Sequence, residues 1–188
     1  MTQADIKITF IEEYNKYIKR EGAQDFLAWL ESTDFFHAPA STKYHNSYDG
    51  GLAKHSVSVF YEVIRLLKAY TDIKVNGETA AICALLHDVC KANCYSVEMR
   101  NVKENGQWTQ KPYYVFDEEF CYGGHGSKSV YLIQKYMKLT DEEAIAINCH
   151  MGFSNGDNIA SISNAYKQFP FAWLLHVADE ASTYLMEV

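Results

Sequence analysis

Apolar residues that return at i, i+3 and i+4 recur along most of the chain, and this periodicity limits it to a packing of amphipathic helices. A first helix is expected over 5–20, and Phe26, Trp29 and Leu30 stripe a second over 24–36. Val59, Val63, Ile64 and Leu67 mark a third over 52–70, and Ile82, Leu85, Leu86 and Val89 a fourth over 79–90. Val130, Ile133 and Met137 carry a helix over 127–137. Thr140 and Glu143 have the spacing of a capping box that opens the next one. Phe171, Leu174, Leu175 and Ala178 set the last helix just after Pro170. The chain has three prolines, Pro39, Pro112 and Pro170, and none interrupts a helical stripe.

One stretch breaks the pattern. Between Tyr95 and Asp117 two β-prone runs flank Asn105-Gly106, a dipeptide suited to a two-residue hairpin turn. Residues 37–51 and 152–164, rich in Ser, Asn and Gly, are expected as loops. The fold class expected is mainly α: a single helical bundle over 1–188, with N-terminal helices and a loop over 1–48 and a β-hairpin inserted over 95–117.

A chain of 188 residues has the size of one domain. Its formal net charge of −7 and its lack of a basic block exclude the electrostatic footprint of a duplex nucleic-acid binder. No apolar run approaches the roughly 20 residues that span a bilayer, so no membrane partner is expected. The first residues lack the basic and then apolar layout of a secretory signal. Five cysteines, odd in number and without a C-x-x-C pair, favour reduced thiols and a cytoplasmic location. A homodimer through the N-terminal helices is compatible with the chain.

The seven histidines concentrate where helices start or stop. His87-Asp88 lies near the end of an otherwise apolar helix, where an unpaired carboxylate costs several kcal/mol. Lys91 at i+3 or a metal ion answers that need, and the helix alone leaves both open. His176 and Asp179, at i and i+3, share a face of the last helix. His37 and His45, taken singly, read as half-buried residues with one satisfied hydrogen bond.

Taken in order, His55 in GGLAKHS, His87-Asp88 in LLHDVCK, His125 in GGHGSKS, His150 in NCHMG and Asp179 in LLHVADE resemble the H…HD…H…H…D signature of the HD-domain metal-dependent phosphohydrolases. The resemblance spans residues 50–180. It implies that His55, His87, Asp88 and Asp179 hold a first divalent metal. A second is then shared between Asp88, His125 and His150. Lys91 matches the Lys of the HD-x-x-K form, which implies that it faces a substrate phosphate or orients the site, with Asp88 and Lys91 as the catalytic pair. His176 matches a supporting position one turn before the last Asp. The chain departs from several dinuclear relatives in carrying His150-Met151 where they have two histidines.

Imidazole and carboxylate ligands accept Mn, Fe, Co, Ni or Zn, in one or two ions. The activity implied is hydrolysis of a phosphoester or phosphoanhydride bond in a nucleotide or small nucleotide-like substrate by metal-activated water. HD-x-x-K with one histidine resembles dinucleoside-tetraphosphate hydrolases, and GGLAKHS resembles three-prime exoribonucleases. A nucleotide-binding sensor with an inactive metal site and a di-iron oxygenase are the other readings. The loop over 44–51 brings His45 towards the mouth of such a site, and Tyr114 on the hairpin offers a ring for a base.

Overall fold

Thr2 caps the first helix with a reciprocal box: its hydroxyl accepts from the Asp5 backbone N–H at 3.2 Å, and the Asp5 carboxylate accepts from the Thr2 N–H at 2.7 Å. The computed structural model describes residues 2–43, 46–117, 123–155 and 159–186. From that cap α1 (Gln3–Tyr17) runs with Ile6, Phe10 and Tyr14 turned inward. α2 (Ala23–Ser32) follows, and then α3 (Gly51–Ala69) and α4 (Gly77–Leu86). The hairpin is β1 (Tyr95–Glu104) and β2 (Gln107–Phe116). The chain closes with α5 (His125–Gln134), α6 (Asp141–Asn148), α7 (Ile159–Gln168) and α8 (Pro170–Ala181), ending in a π-helical turn at Ser182–Met186.

α4 is the axis of the bundle. Every residue from Thr79 to Leu86 is buried, as expected of a helix that is apolar on all sides. α3 packs along it and along α8, while α1 and α6 close two further flanks. Phe10, Phe35 and Phe36 meet edge to face, with Phe10 5.2 Å from Phe35 and 5.4 Å from Phe36 between centroids, and they seal the N-terminal end. The fold is mainly α with a two-stranded sheet, as the periodicity predicts.

A buried polar tie secures the far end. Arg20 grips Glu143 with two hydrogen bonds of 2.7 Å, and the Thr79 hydroxyl donates to the same carboxylate at 2.9 Å. Glu143 also accepts from the Thr140 N–H at 2.9 Å, which completes the capping box seen in the sequence. Burial alone pushes the Glu143 carboxyl up; Arg20 and these donors outweigh it and hold it below its usual value.

Several boundaries differ from the sequence expectation. α2 stops at Ser32, and Phe35 and Phe36, expected on the helix, fold back in a turn to bury their rings. The fourth helix ends at Leu86; Val89–Lys91 is a 3₁₀ turn that swings Asp88 out of the helical row. The polar stretch over 152–164, expected as a loop, contains the 3₁₀ turn Gly152–Asn155 and most of α7. Its Ser and Asn content hides a stripe of Ile159, Ile162 and Tyr166, of which only Ile162 is buried. His37, expected to be half-buried, is 70% exposed and pairs with Asp49 at 3.2 Å.

The hairpin turn follows its dipeptide: Asn105 and Gly106 both take positive φ, at 50° and 84°, the signature of the mirror-image two-residue turn. Tyr95 faces Phe116, Val97 faces Tyr114 and Met99 faces Pro112 across the strands. These pairs share one face of the ribbon, so the hairpin is apolar on one side. Among the described residues no helix is long and apolar enough to cross a membrane.

Candidate metal centre

The ends of separate elements converge on one point. His55 comes from the first turns of α3, His87 caps α4, Asp88 leads the 3₁₀ turn, His150 follows the end of α6 and Asp179 sits on α8. The ligand atoms of His55, His87 and Asp88 lie within 4.8 Å of one another, and so do those of His87, His150 and Asp179. His55, His87, Asp88 and His150 are each at most 2% exposed.

Two backbone carbonyls set the chemistry of the imidazoles. His87 Nδ1 stands 2.9 Å from the Ala84 carbonyl and His150 Nδ1 2.6 Å from the Ile147 carbonyl. A carbonyl only accepts, so each Nδ1 carries the proton and each Nε2 presents its lone pair inward. His55 Nε2 and His87 Nε2 face each other at 3.2 Å, and Asp179 Oδ1 lies 3.0 Å from His55 Nε2. His150 Nε2 completes no hydrogen bond among the described residues and stands 3.5 Å from Asp88 Oδ1. A buried lone pair without a donor, beside two carboxylates, is what a divalent ion would satisfy; the residues fit such an ion.

Burial lowers the His87 imidazole to about 4, so it stays neutral across the physiological range. Burial pushes Asp88 up, but the Lys91 ammonium and the imidazoles of His87 and His150 outweigh it, leaving the carboxyl well below the usual range. Asp179 follows the same balance, with His55 as the chief opposing partner. Burial pulls His150 down, and the Asp88 carboxylate more than reverses this.

Lys91 Nζ lies 2.6 Å from Asp88 Oδ2 and 3.0 Å from the Ala40 carbonyl. The ion pair and the metal-type cluster therefore coexist: Oδ2 meets Lys91, and Oδ1 faces His150. His176 Nδ1 donates to the His150 carbonyl at 2.8 Å, and its ring fills the space beside Gly152, where a Cβ would sit 2.5 Å from the ring carbon Cε1. It supports His150 through the backbone.

His125 stands apart from both groups of ligand atoms. Its Nδ1 is 3.6 Å from Cys90 Sγ, which is itself 3.9 Å from Asp88 Oδ1. His45 lies outside the described residues. Tyr114 lines a separate pocket of about 650 Å³ between the hairpin and the loop before α3. The cleft over the cluster, about 230 Å³, is lined by His55, Asp88, Lys91 and Asp179 together with Met151, Glu180, Thr183 and Tyr184. The sequence reading missed these last four and Cys90. Thr183 had a signal, because it follows Asp179 by one helical turn.

The sequence matches the HD domain over residues 52–183. It is 31% identical over 128 residues to ribonuclease Y of Mycoplasmoides gallisepticum, covering 68% of this chain and 18% of that protein. It is 27% identical over 154 residues to dihydroneopterin 2′,3′-cyclic phosphate phosphodiesterase of Methanocaldococcus jannaschii, covering 80% of this chain and 53% of that protein. The chain thus spans about half or less of the length of these curated relatives. No solved structure matches it. With five of the six signature residues gathered at one buried point inside the matched segment, the chain belongs to the HD domain family.

Proposed function

We propose that the chain hydrolyses a phosphoester or phosphoanhydride bond in a nucleotide or small nucleotide-like compound. His55, His87, Asp88 and Asp179 hold one divalent transition metal in this reading, and Asp88, His125 and His150 share a second. The observation that carries it is the donor set: inward Nε2 lone pairs, fixed by backbone carbonyls, opposite two ionised carboxylates. Mn, Fe, Co, Ni and Zn all suit such donors. Ions bound there lower the pKa of a water and stabilise charge on a phosphoryl oxygen.

The chain's own groups do the rest. Asp88 spans the two halves of the cluster with its two oxygens, and Lys91 fixes the rotation of that carboxylate. Lys91 also lines the cleft, where its ammonium meets the incoming phosphate. His176 holds the His150 backbone, and His45 and Tyr114 are further substrate contacts. The names of the two relatives, a ribonuclease and a cyclic-phosphate phosphodiesterase, agree with cleavage at phosphorus. A net charge of −7 favours small nucleotides over long RNA.

Metal analysis of the purified protein, run beside a phosphate-release and phosphodiesterase screen, tests this. Bound metal with turnover of one nucleotide class is the expected result. Metal and turnover both surviving in Asp88→Ala and His87→Ala would overturn it. Processive decay of a long RNA, with no turnover of small nucleotides, would move the substrate to the ribonuclease reading.

A further inference from the structure

The pocket of about 650 Å³ beside the hairpin is walled by Thr42, Lys43 and Ser47 on one side and by Val97, Arg100, Pro112, Tyr113 and Tyr114 on the other. In a protein of net charge −7 it collects two cations. Neither Lys43 nor Arg100 pairs with a carboxylate among the described residues, and Arg100 lies 5.3 Å over the Tyr113 ring, which orients its guanidinium. Elsewhere Arg20 and Lys91 are neutralised by carboxylates within 2.7 Å. The Tyr113 hydroxyl donates to Glu98 at 2.9 Å and the Ser47 hydroxyl to the Thr42 carbonyl at 3.0 Å, so the two unpaired cations and the half-buried rings are what the wall offers. These are the recognition chemistry of a phosphate with an attached planar group.

A chain of contacts links this pocket to the candidate metal centre. The Ala40 carbonyl accepts from Lys91 Nζ at 3.0 Å and from the Tyr95 hydroxyl at 3.4 Å. The Tyr95 ring is 6.4 Å from that of Tyr114 in the pocket wall. Thr42 begins the opposite wall two residues after Ala40, a reach of at most about 7 Å.

We infer that the loop–hairpin pocket binds a second phosphate of the substrate, held by Lys43 and Arg100 while the scissile phosphate occupies the metal cleft. The preferred substrate class is thus a nucleotide with a phosphate beyond the one attacked. This rests on the hydrolase reading above but is tested separately from it. Calorimetry on the Mn²⁺-loaded protein compares adenosine 5′-monophosphate with adenosine 3′,5′-bisphosphate, and bis(p-nitrophenyl) phosphate reports turnover. The wild type is expected to bind the bisphosphate at least roughly tenfold more tightly, the scale of one charge-assisted contact. In Lys43→Gln/Arg100→Gln that ratio should fall towards one while turnover of bis(p-nitrophenyl) phosphate stays within twofold. No preference in the wild type, or a preference unchanged in the variant, overturns the pocket assignment. A preference that disappears as expected, in a wild type that turns over neither bis(p-nitrophenyl) phosphate nor any compound of the phosphate-release screen, sinks the hydrolase reading and leaves the pocket standing.

Discussion

The buried His–Asp cluster and the hairpin are built on opposite physical terms. In the cluster, side chains from four helical segments and a turn meet within a few ångströms, almost wholly shielded from water, and each is answered by a partner or a fixed backbone group. The hairpin has two strands, is anchored at the Tyr95–Phe116 end, and leaves Val97, Met99 and Trp108 between 56% and 70% exposed. A substitution in the first disturbs burial, charge and hydrogen bonding together; in the second it meets mostly solvent. The proposed chemistry thus sits where change is least tolerated, and the proposed recognition surface where it is most tolerated.

The sharpest way to break this contrast is Asp88→Ala, which deletes a buried carboxylate and leaves the half-buried Lys91 ammonium with only the Ala40 carbonyl. Removing one partner of a buried pair costs about 3–5 kcal/mol, so the melting temperature should fall by roughly 10 °C in a chain of this size, with bound metal lost as well. A shift below about 2 °C in calorimetry would show the cluster to be as permissive as the hairpin.

Next comes pH. His87 titrates near 6.5 when unfolded and near 4 when folded, so the unfolded state binds the proton first as pH falls. Its contribution is therefore stability present above pH 6.5 and lost on acidification towards pH 4, by about 3 kcal/mol in all. Urea titrations of metal-stripped protein at pH 7 and pH 4.5 should show a smaller acid loss in His87→Gln than in the wild type. Equal losses would mean that His87 is solvated.

A smaller effect separates support from ligation. His176→Ala removes the donor to the His150 carbonyl and should weaken metal affinity about 10–100-fold, read by competition with a chelating dye, while the helical circular dichroism is retained. Smallest of all, Trp108→Ala on the hairpin should change unfolding free energy by no more than about 0.5 kcal/mol. A larger loss in urea titration would reveal hidden cover over the ribbon.

Much of this was legible in the sequence because the signals are local. Helical stripes, the Asn105-Gly106 turn and the Thr140–Glu143 box are each written within a few residues. The ordered histidines and aspartates could be read because each occupies a helix end. What stayed illegible depends on contacts distant in the chain. The stripe of Ile159, Ile162 and Tyr166 in α7 is masked by the Ser and Asn around it, and only Ile162 is buried. The stance of His125 follows from Gly126, where a Cβ would meet the Ile147 and Asn148 carbonyls at 2.5 Å, fixing how α5 abuts the end of α6. The pocket joining Lys43 to Arg100 leaves no trace in either segment alone.

The carbonyls of Ala84 and Ile147, which fix the two inward-facing imidazoles, belong to the main chain, and no side-chain replacement deletes them. Mutational drift therefore has no partner residue to remove at these two positions. Only loss of the histidine itself, or a proline that breaks the helix end, reverses the tautomer. A saturation library selected for retained metal should be intolerant at His87 and His150 yet permissive at Ala84 and Ile147 towards residues of similar size. The proton inventory of the centre is in this way inherited with the fold.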